Sequence, residues 1–272
     1  MKRQILIIAT VIISMTLNAC NIHIDGETLG GKTIKGDGNI VTQNYNVSSF
    51  DELSTSLSAT VNFTVSDAYT CSVRVDQNLL EYLDIRTKGD ELILKKQEEH
   101  KNITLQATEF IIDVTAPSLE GINLAGSGTL NVLSRMETEE LEVNVAGSGD
   151  VYFKEPLIVG DLELNVAGSG DIACDALEAD QLDANVAGSG DLKVDSGTVR
   201  EAEASVAGSG DIVLLCDIVN LEANIAGSGD IKARVRGKLT YGIFGSGDIG
   251  YYGNPVVEGD KVGVSRVKRL GD

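Results

Sequence analysis

Tryptophan is absent from the 272 residues, aromatic residues make up 4%, and there are only 3 prolines and 2 histidines. So few rings argue against a binding site built as an aromatic cage. Two histidines leave little that could act as a base near neutral pH. With 30 glycines but 3 prolines, the chain is neither collagen-like nor Pro-rich and disordered. Basic residues are the other shortage: 22 Lys and Arg face 41 Asp and Glu, a formal net charge of −19. That excludes a generic nucleic-acid or anionic-membrane surface, because both need a cationic face to release counterions. What remains is a glycine-punctuated β architecture, long enough for one large domain or two modest ones.

The amino terminus is read as an address. Lys2 and Arg3 precede Ile5 to Leu17, apolar except for Thr10, Ser14 and Thr16. The segment is too short to span a bilayer and fits the core of a signal peptide over residues 1–19. It ends in Leu17-Asn18-Ala19-Cys20, which resembles the lipobox of bacterial lipoproteins. In those proteins the cysteine thioether carries diacylglycerol, cleavage precedes it and the new amine is acylated. Cys20 is therefore the expected lipidation site, with palmitate as a natural label, and the membrane is the expected partner through that anchor. Several acyl chains hold durably, each buried methylene contributing ~0.8 kcal/mol. Asn21, in place of a retaining Asp, implies by the same resemblance an outer-membrane lipoprotein, with surface display an open option. Cleavage removes Lys2 and Arg3 and no acid, leaving −21. Residues 20–46, with Gly26, Gly30, Gly31, Gly36 and Gly38 and little apolar pattern, read as a flexible tether.

A repeat dominates the rest. Gly-Ser-Gly recurs seven times, starting at Gly126 and ending at Gly245, with spacings of 21, 21, 20, 20, 19 and 18 residues. The fuller pattern is LEVNVAGSGDV from Leu141, LELNVAGSGDI from Leu162, LDANVAGSGDL from Leu182 and LEANIAGSGDI from Leu221. Within a copy the period is two: Leu141, Val143, Val145, Gly147, Gly149, Val151 and Phe153 alternate with polar residues. One copy cannot bury its own apolar face and must stack on the next. About 20 residues at ~3.3 Å each give a perimeter of about 65 Å, which suits coils stacked ~4.8 Å apart. The expected fold is all-β: a single-stranded parallel β-helix (β-solenoid) with 18–21 residues per turn, right-handed as parallel crossovers are. The shrinking spacing predicts coils that narrow toward the carboxyl end.

The glycines are expected to face inward, where a side chain would strike the opposite wall, and to supply the φ values of a sharp corner. Asn144, Asn165, Asn185 and Asn224 should stack into an amide ladder, interrupted by Ser205. Residues 47–118 read as irregular opening coils that cap the solenoid. They have an unbroken alternation from Leu53 to Val65, a strand at Cys71 to Val75, a helical turn at Asn78 to Leu83 and a turn at Gly89-Asp90. Residues 119–272 form the regular β-helix, closed by a strand containing Val262, Val264 and Val267. Its edge is guarded by Lys261, Arg266, Lys268 and Arg269. Cys71, Cys174 and Cys216 are odd in number and widely spaced, so they read as buried small hydrophobes rather than disulfides or metal ligands.

The lipobox, a first strand near Phe50 and then LEGINLAGSGTL from Leu119 resemble the putative auto-transporter adhesin, or head GIN domain, family of Bacteroides-like bacteria. The likeness spans roughly Val47 to Lys268, and the AGSGD ladder is its stronger part. It implies a single-stranded right-handed β-helix in the cell envelope and brings no catalytic residues with it. Val264-Ser265-Arg266-Val267 departs from the closing GSG.

One column invites chemistry: Asp150, Asp171, Asp191, Asp211, Asp230 and Asp248, with Thr129 in the first copy. Carboxylates ~5 Å apart repel by ~0.9 kcal/mol per pair in water, which calcium would relieve. Calcium-binding β-rolls, however, place a residue between the last Gly and the Asp. The column is thus a weak calcium candidate; the alternative is a turn Asp accepting local amides. No cofactor or metal is expected. Catalysis fares no better. Glycoside hydrolysis needs two carboxylates in different environments, and these are near-identical. Between residues 137 and 199 the only cations are Lys154 and Lys193, and no phosphate loop, nucleophile elbow or HExxH motif occurs. The expected function is a non-enzymatic, lipid-anchored envelope adhesin presenting a rigid acidic β-helix to a surface glycan or protein. The alternatives are a structural or signalling partner of another envelope protein and, last, a polysaccharide-processing enzyme.

Overall fold

The structure is a computed structural model and describes residues 32–272. Thr33–Asp272 forms one compact unit with its own core. Cys20, His23 and the signal segment lie outside the described residues.

The parallel β-helix is present as expected. The long strands Gly121–Gly126, Met136–Gly147, Leu157–Gly168, Leu177–Gly188 and Gly197–Gly208 stack in parallel, each residue on its repeat-mate. Ile212–Gly227, Ile231–Gly245 and Val256–Gly263 continue the stack. Short strands such as Asp150–Phe153, Ile172–Cys174 and Leu192–Val194 form a second wall. Each long strand bends once. Leu157 and Val159 are buried, Gly160 and Asp161 both face out, and Leu162, Leu164 and Val166 are buried again. The lumen is packed with such residues, most of them at most 2% exposed.

The coils do narrow, at one corner. Lys154 to Pro156 separates two strands in one coil, Asp175-Ala176 in the next and Asp195-Ser196 in the third, and then Ile212–Gly227 runs through without a break. One lumen column shrinks with it, Leu164 stacking on Ala184, then Ala204, then Ala223, while the column of Phe153 continues as Cys174, Val194 and Leu214. A shorter perimeter encloses less space, and close packing demands smaller fillers.

The amino-terminal end departs from the sequence reading in two ways. The alternation from Leu53 to Val65 is two strands, Glu52–Thr55 and Thr60–Val65, parallel to Gly121–Gly126 and Thr129–Val132. Leu57 and Ala59 make a corner between them. The tether also ends early: residues 20–31 lie outside the described residues, but Thr33–Lys35 and Ile40–Tyr45 are strands, paired with Thr104–Gln106 and Thr70–Asp76. Their anchor is Asp76, a fully buried residue whose carboxylate accepts from the Gly38 N–H at 2.8 Å, the Thr108 N–H at 2.7 Å and the Thr108 hydroxyl at 2.8 Å. Long-range bonds of this kind leave no apolar periodicity to read. Antiparallel pairings of Thr70–Asp76 and Leu83–Lys88 and a 3₁₀ turn at Gln77–Tyr82, with Leu79 buried, complete this cap.

Candidate functional site

The repeat corner is held by backbone. The carbonyl of Gly126 accepts from Ser148 N–H at 2.7 Å, that of Gly147 from Ser169 at 2.7 Å, and the pattern recurs up the stack. A Cβ at Gly147 would lie 2.6 Å from the Gly126 oxygen. The glycine requirement is therefore axial: the obstacle is the coil below, not the opposite wall. The expectation of positive φ holds for the first glycine of each corner, +118° at Gly147 and +139° at Gly188.

The aspartate column uses its carboxylates in the same direction. Oδ1 of Asp150 accepts the backbone N–H of Asp171 at 3.1 Å, and Asp171 that of Asp191 at 2.8 Å. Asp191 accepts from Asp211, Asp211 from Asp230 and Asp230 from Asp248 at 2.9, 2.7 and 2.7 Å. The bonded amides belong to the next coil rather than to the local turn. Arg266 stands where a seventh aspartate would fall and closes the column on Asp248. Its guanidinium, followed by its N–H, holds the Asp248 carboxyl below the usual carboxylate range. Among the described residues no group of three or more His, Cys, Asp or Glu has metal-holding geometry.

The asparagines also form a ladder. Asn144 donates to Asn123 at 3.0 Å, Asn165 to Asn144 at 3.0 Å and Asn185 to Asn165 at 3.1 Å, and Asn123 extends it to Ser54. Asn144 and Asn165 each give a second hydrogen to Glu142 and Glu163. Ser205 breaks the ladder as expected, and its buried hydroxyl has no hydrogen-bond partner. Asn123 and Ser54 were not in the sequence reading: one sits in the atypical first copy and the other in the cap.

Beside the ladder lies an open acidic groove of about 410 Å³, lined by Asp183, Glu201, Glu203 and Glu222 with Lys238 at one end. Burial, then the charges of Glu163 and Asp161, raises the Asp183 carboxyl. Burial, then Glu222 and Asp183, raises Glu203. The three described cysteines are buried and free, as expected, and burial pushes each thiol up to about 12, which leaves them inert. His100 is half-buried rather than solvated, edge-on to Tyr82 with ring centroids 4.8 Å apart. Among the described residues the groove's shifted carboxyls, Asp183 and Glu203, move in the same direction.

Comparison places this geometry. Residues 49–157 and 153–255 both match the family described as putative auto-transporter adhesin, head GIN domain. The chain belongs to this family. The crystal structure of a putative lipid binding protein from Parabacteroides distasonis is 32% identical with a TM-score of 0.81, covering 88% of this chain and 100% of that one. A putative adhesin from the same organism is 27% identical with a TM-score of 0.83, covering 88% and 100%. A putative adhesin from Parabacteroides merdae shares the fold, at 24% identity and a TM-score of 0.83, covering 88% and 99%. No curated protein matches the chain. Family and neighbours carry adhesin or lipid-binding descriptions, which suggest the cell surface or envelope. Among the described residues no helix is long and apolar enough to cross a membrane.

Proposed function

We propose that this head GIN domain protein is a non-enzymatic adhesin of the cell envelope, tethered to the outer membrane by lipid on Cys20 and presenting its β-helix to a surface glycan or protein. The observation that carries the reading is the aspartate column. The most regular set of acids on the molecule is spent on coil-to-coil amide bonds, which makes a rigid strut and leaves no poised catalytic pair. Family membership supports the adhesin role, and the lipobox at Leu17 to Cys20 supports the anchor. The same scaffold also supports a structural or signalling partnership with another envelope protein.

A glycan array probed with residues 21–272 tests the first reading: saturable binding is expected. A silent array, with one specific envelope partner in pull-downs, would replace it with the second. The anchor is tested separately: Cys20→Ser should abolish incorporation of labelled palmitate and release the protein from membranes. Label persisting on the variant would refute lipidation at Cys20.

A further inference from the structure

The aspartate column does not run the whole length of the solenoid. Toward the cap its place is held by Thr129 and, one coil below, by Thr60, in register with Asp150. Val61 and Leu130 fill the lumen, so both threonine side chains face outward. The amide bond that an aspartate carboxylate accepts elsewhere is accepted here by backbone. The Asp150 N–H donates to the Gly128 carbonyl at 3.0 Å and the Thr129 N–H to that of Ala59 at 2.9 Å. Neither hydroxyl is therefore spent on stacking the coils.

At the same level the cap forms a second wall. Between it and the corner lies an open notch of about 350 Å³, lined on the corner side by Thr60, Ser127 and Thr129 and on the cap side by Gln106, Glu109 and Phe110. That volume falls within the range of small-molecule sites. The cap wall is tied down. The Gly36 N–H donates to the Gln106 carbonyl at 2.9 Å, Thr108 gives its N–H and hydroxyl to the buried Asp76, and Glu109 is ion-paired with Arg74. Phe110 is partly buried against the core. A wall already held in place loses little freedom when a ligand binds.

We infer that this notch is a binding site for a neutral sugar unit of a glycan. The hydroxyls of Thr60, Ser127 and Thr129 and the amide of Gln106 both donate and accept, as sugar hydroxyls do. The ring of Phe110 supplies apolar surface for the C–H face of a sugar. Other ligand classes fit less well. An anion would meet Glu109 and the carboxylates that begin at Asp150. A cation would find Glu109 already neutralised by Arg74. An apolar ligand would bury the threonine hydroxyls without partners. The site presupposes the adhesin role proposed above and locates it on the molecule.

The test is an array of neutral, sialylated, sulfated and amine-bearing glycans, probed with residues 21–272, which contain the whole compact unit. Wild type should bind neutral glycans, and the strongest-bound of them should slow hydrogen exchange in residues 106–110 and 127–129. Thr129→Asp installs the residue that six other corners carry, so it should melt with wild type. It also puts a charge in the notch and should weaken binding at least tenfold. Thr60→Val with Thr129→Val keeps the side-chain shape, removes both hydroxyls and should do the same. Asp191→Asn, in the same column farther from the cap, should bind as wild type. Binding that survives both threonine variants, that is confined to charged glycans or that protects other segments would overturn this site and leave the adhesin reading standing. A silent array would remove the site and the glycan reading together.

Discussion

Arg266 closes the column that Asp150 opens, giving its backbone N–H to Asp248 Oδ1 at 2.7 Å and its Nε and Nη2 to Oδ2 at 2.9 and 2.6 Å. Every earlier aspartate both gives an amide and accepts one. Arg266 gives an amide and a guanidinium, and its side chain offers no acceptor, so the column of side-chain acceptors ends there by chemistry.

That contact predicts a local effect. Arg266→Ala should speed hydrogen exchange in Val267–Gly271 while lowering the melting temperature by only about 1–3 °C, because exposed ion pairs contribute little. The Asp248 carboxyl titrates below its ordinary range in the folded chain, so its contribution exists above the unfolded carboxylate value and is lost as pH falls through the folded one. The difference between variant and wild type should therefore vanish in acid. Fraying spread through Ile231–Gly245 would show that the pair supports more than the last coil.

Gly188→Val should be severely destabilising and Ser189→Thr nearly silent. Gly188 has φ +139°, and a Cβ there would overlap the Gly168 carbonyl oxygen. Relief would need the two coils to separate. Overpacking alone costs ~1–3 kcal/mol, and the left-handed backbone adds to it. Ser189 is exposed. The pair would share one melting temperature only if the corner were looser than its hydrogen bonds indicate.

The solenoid was legible because one period sets both the strand alternation and the stacking: once Leu141 and Leu162 are matched, every column follows. The asparagine ladder, the Ser205 break and the inert cysteines came from the same register. The glycine corner was half legible, since positive φ follows from the residue type but the obstructing carbonyl belongs to another coil. The strands at Thr33–Lys35 and Ile40–Tyr45 were hidden because their partners, Thr104–Gln106 and Thr70–Asp76, and the anchoring carboxylate of Asp76 are distant in sequence.

The column chemistry predicts different results for two substitutions at one position. Asp191→Asn keeps an Oδ1 acceptor for the Asp211 N–H and removes one charge from a row of like charges, so stability should hold. Asp191→Ala removes the acceptor and should cost ~0.5–1.5 kcal/mol. Calcium should add little, because the carboxylates already serve amides and a hard-cation cage needs about 6–8 oxygens. Melting curves in EDTA, excess magnesium and excess calcium at matched ionic strength should nearly superimpose. A rise of many degrees in calcium alone would make the six aspartates a structural metal site.

At Asp76 the same Asn substitution should fail. Here Oδ1 accepts from Gly38 N–H and the Thr108 hydroxyl while Oδ2 accepts from Thr108 N–H. An amide has one oxygen, so either orientation turns an NH₂ group onto a buried donor. Burial works against the Asp76 charge, but the bonds from Thr108 and Gly38 more than offset it and hold the carboxyl below its ordinary range. Its contribution is thus fully present above the unfolded carboxylate value and is lost as pH falls through the lower, folded value. Asp76→Asn should melt roughly 5 °C or more below wild type at pH 7, with the gap narrowing stepwise into acid as the wild-type carboxylate protonates. Exchange should quicken first in Thr33–Lys35 and Ile40–Tyr45, the strands this residue ties down, while the repeat coils keep their protection. A variant that melts with wild type at pH 7, or loses protection evenly along the solenoid, would mean that the cap is held by something other than Asp76.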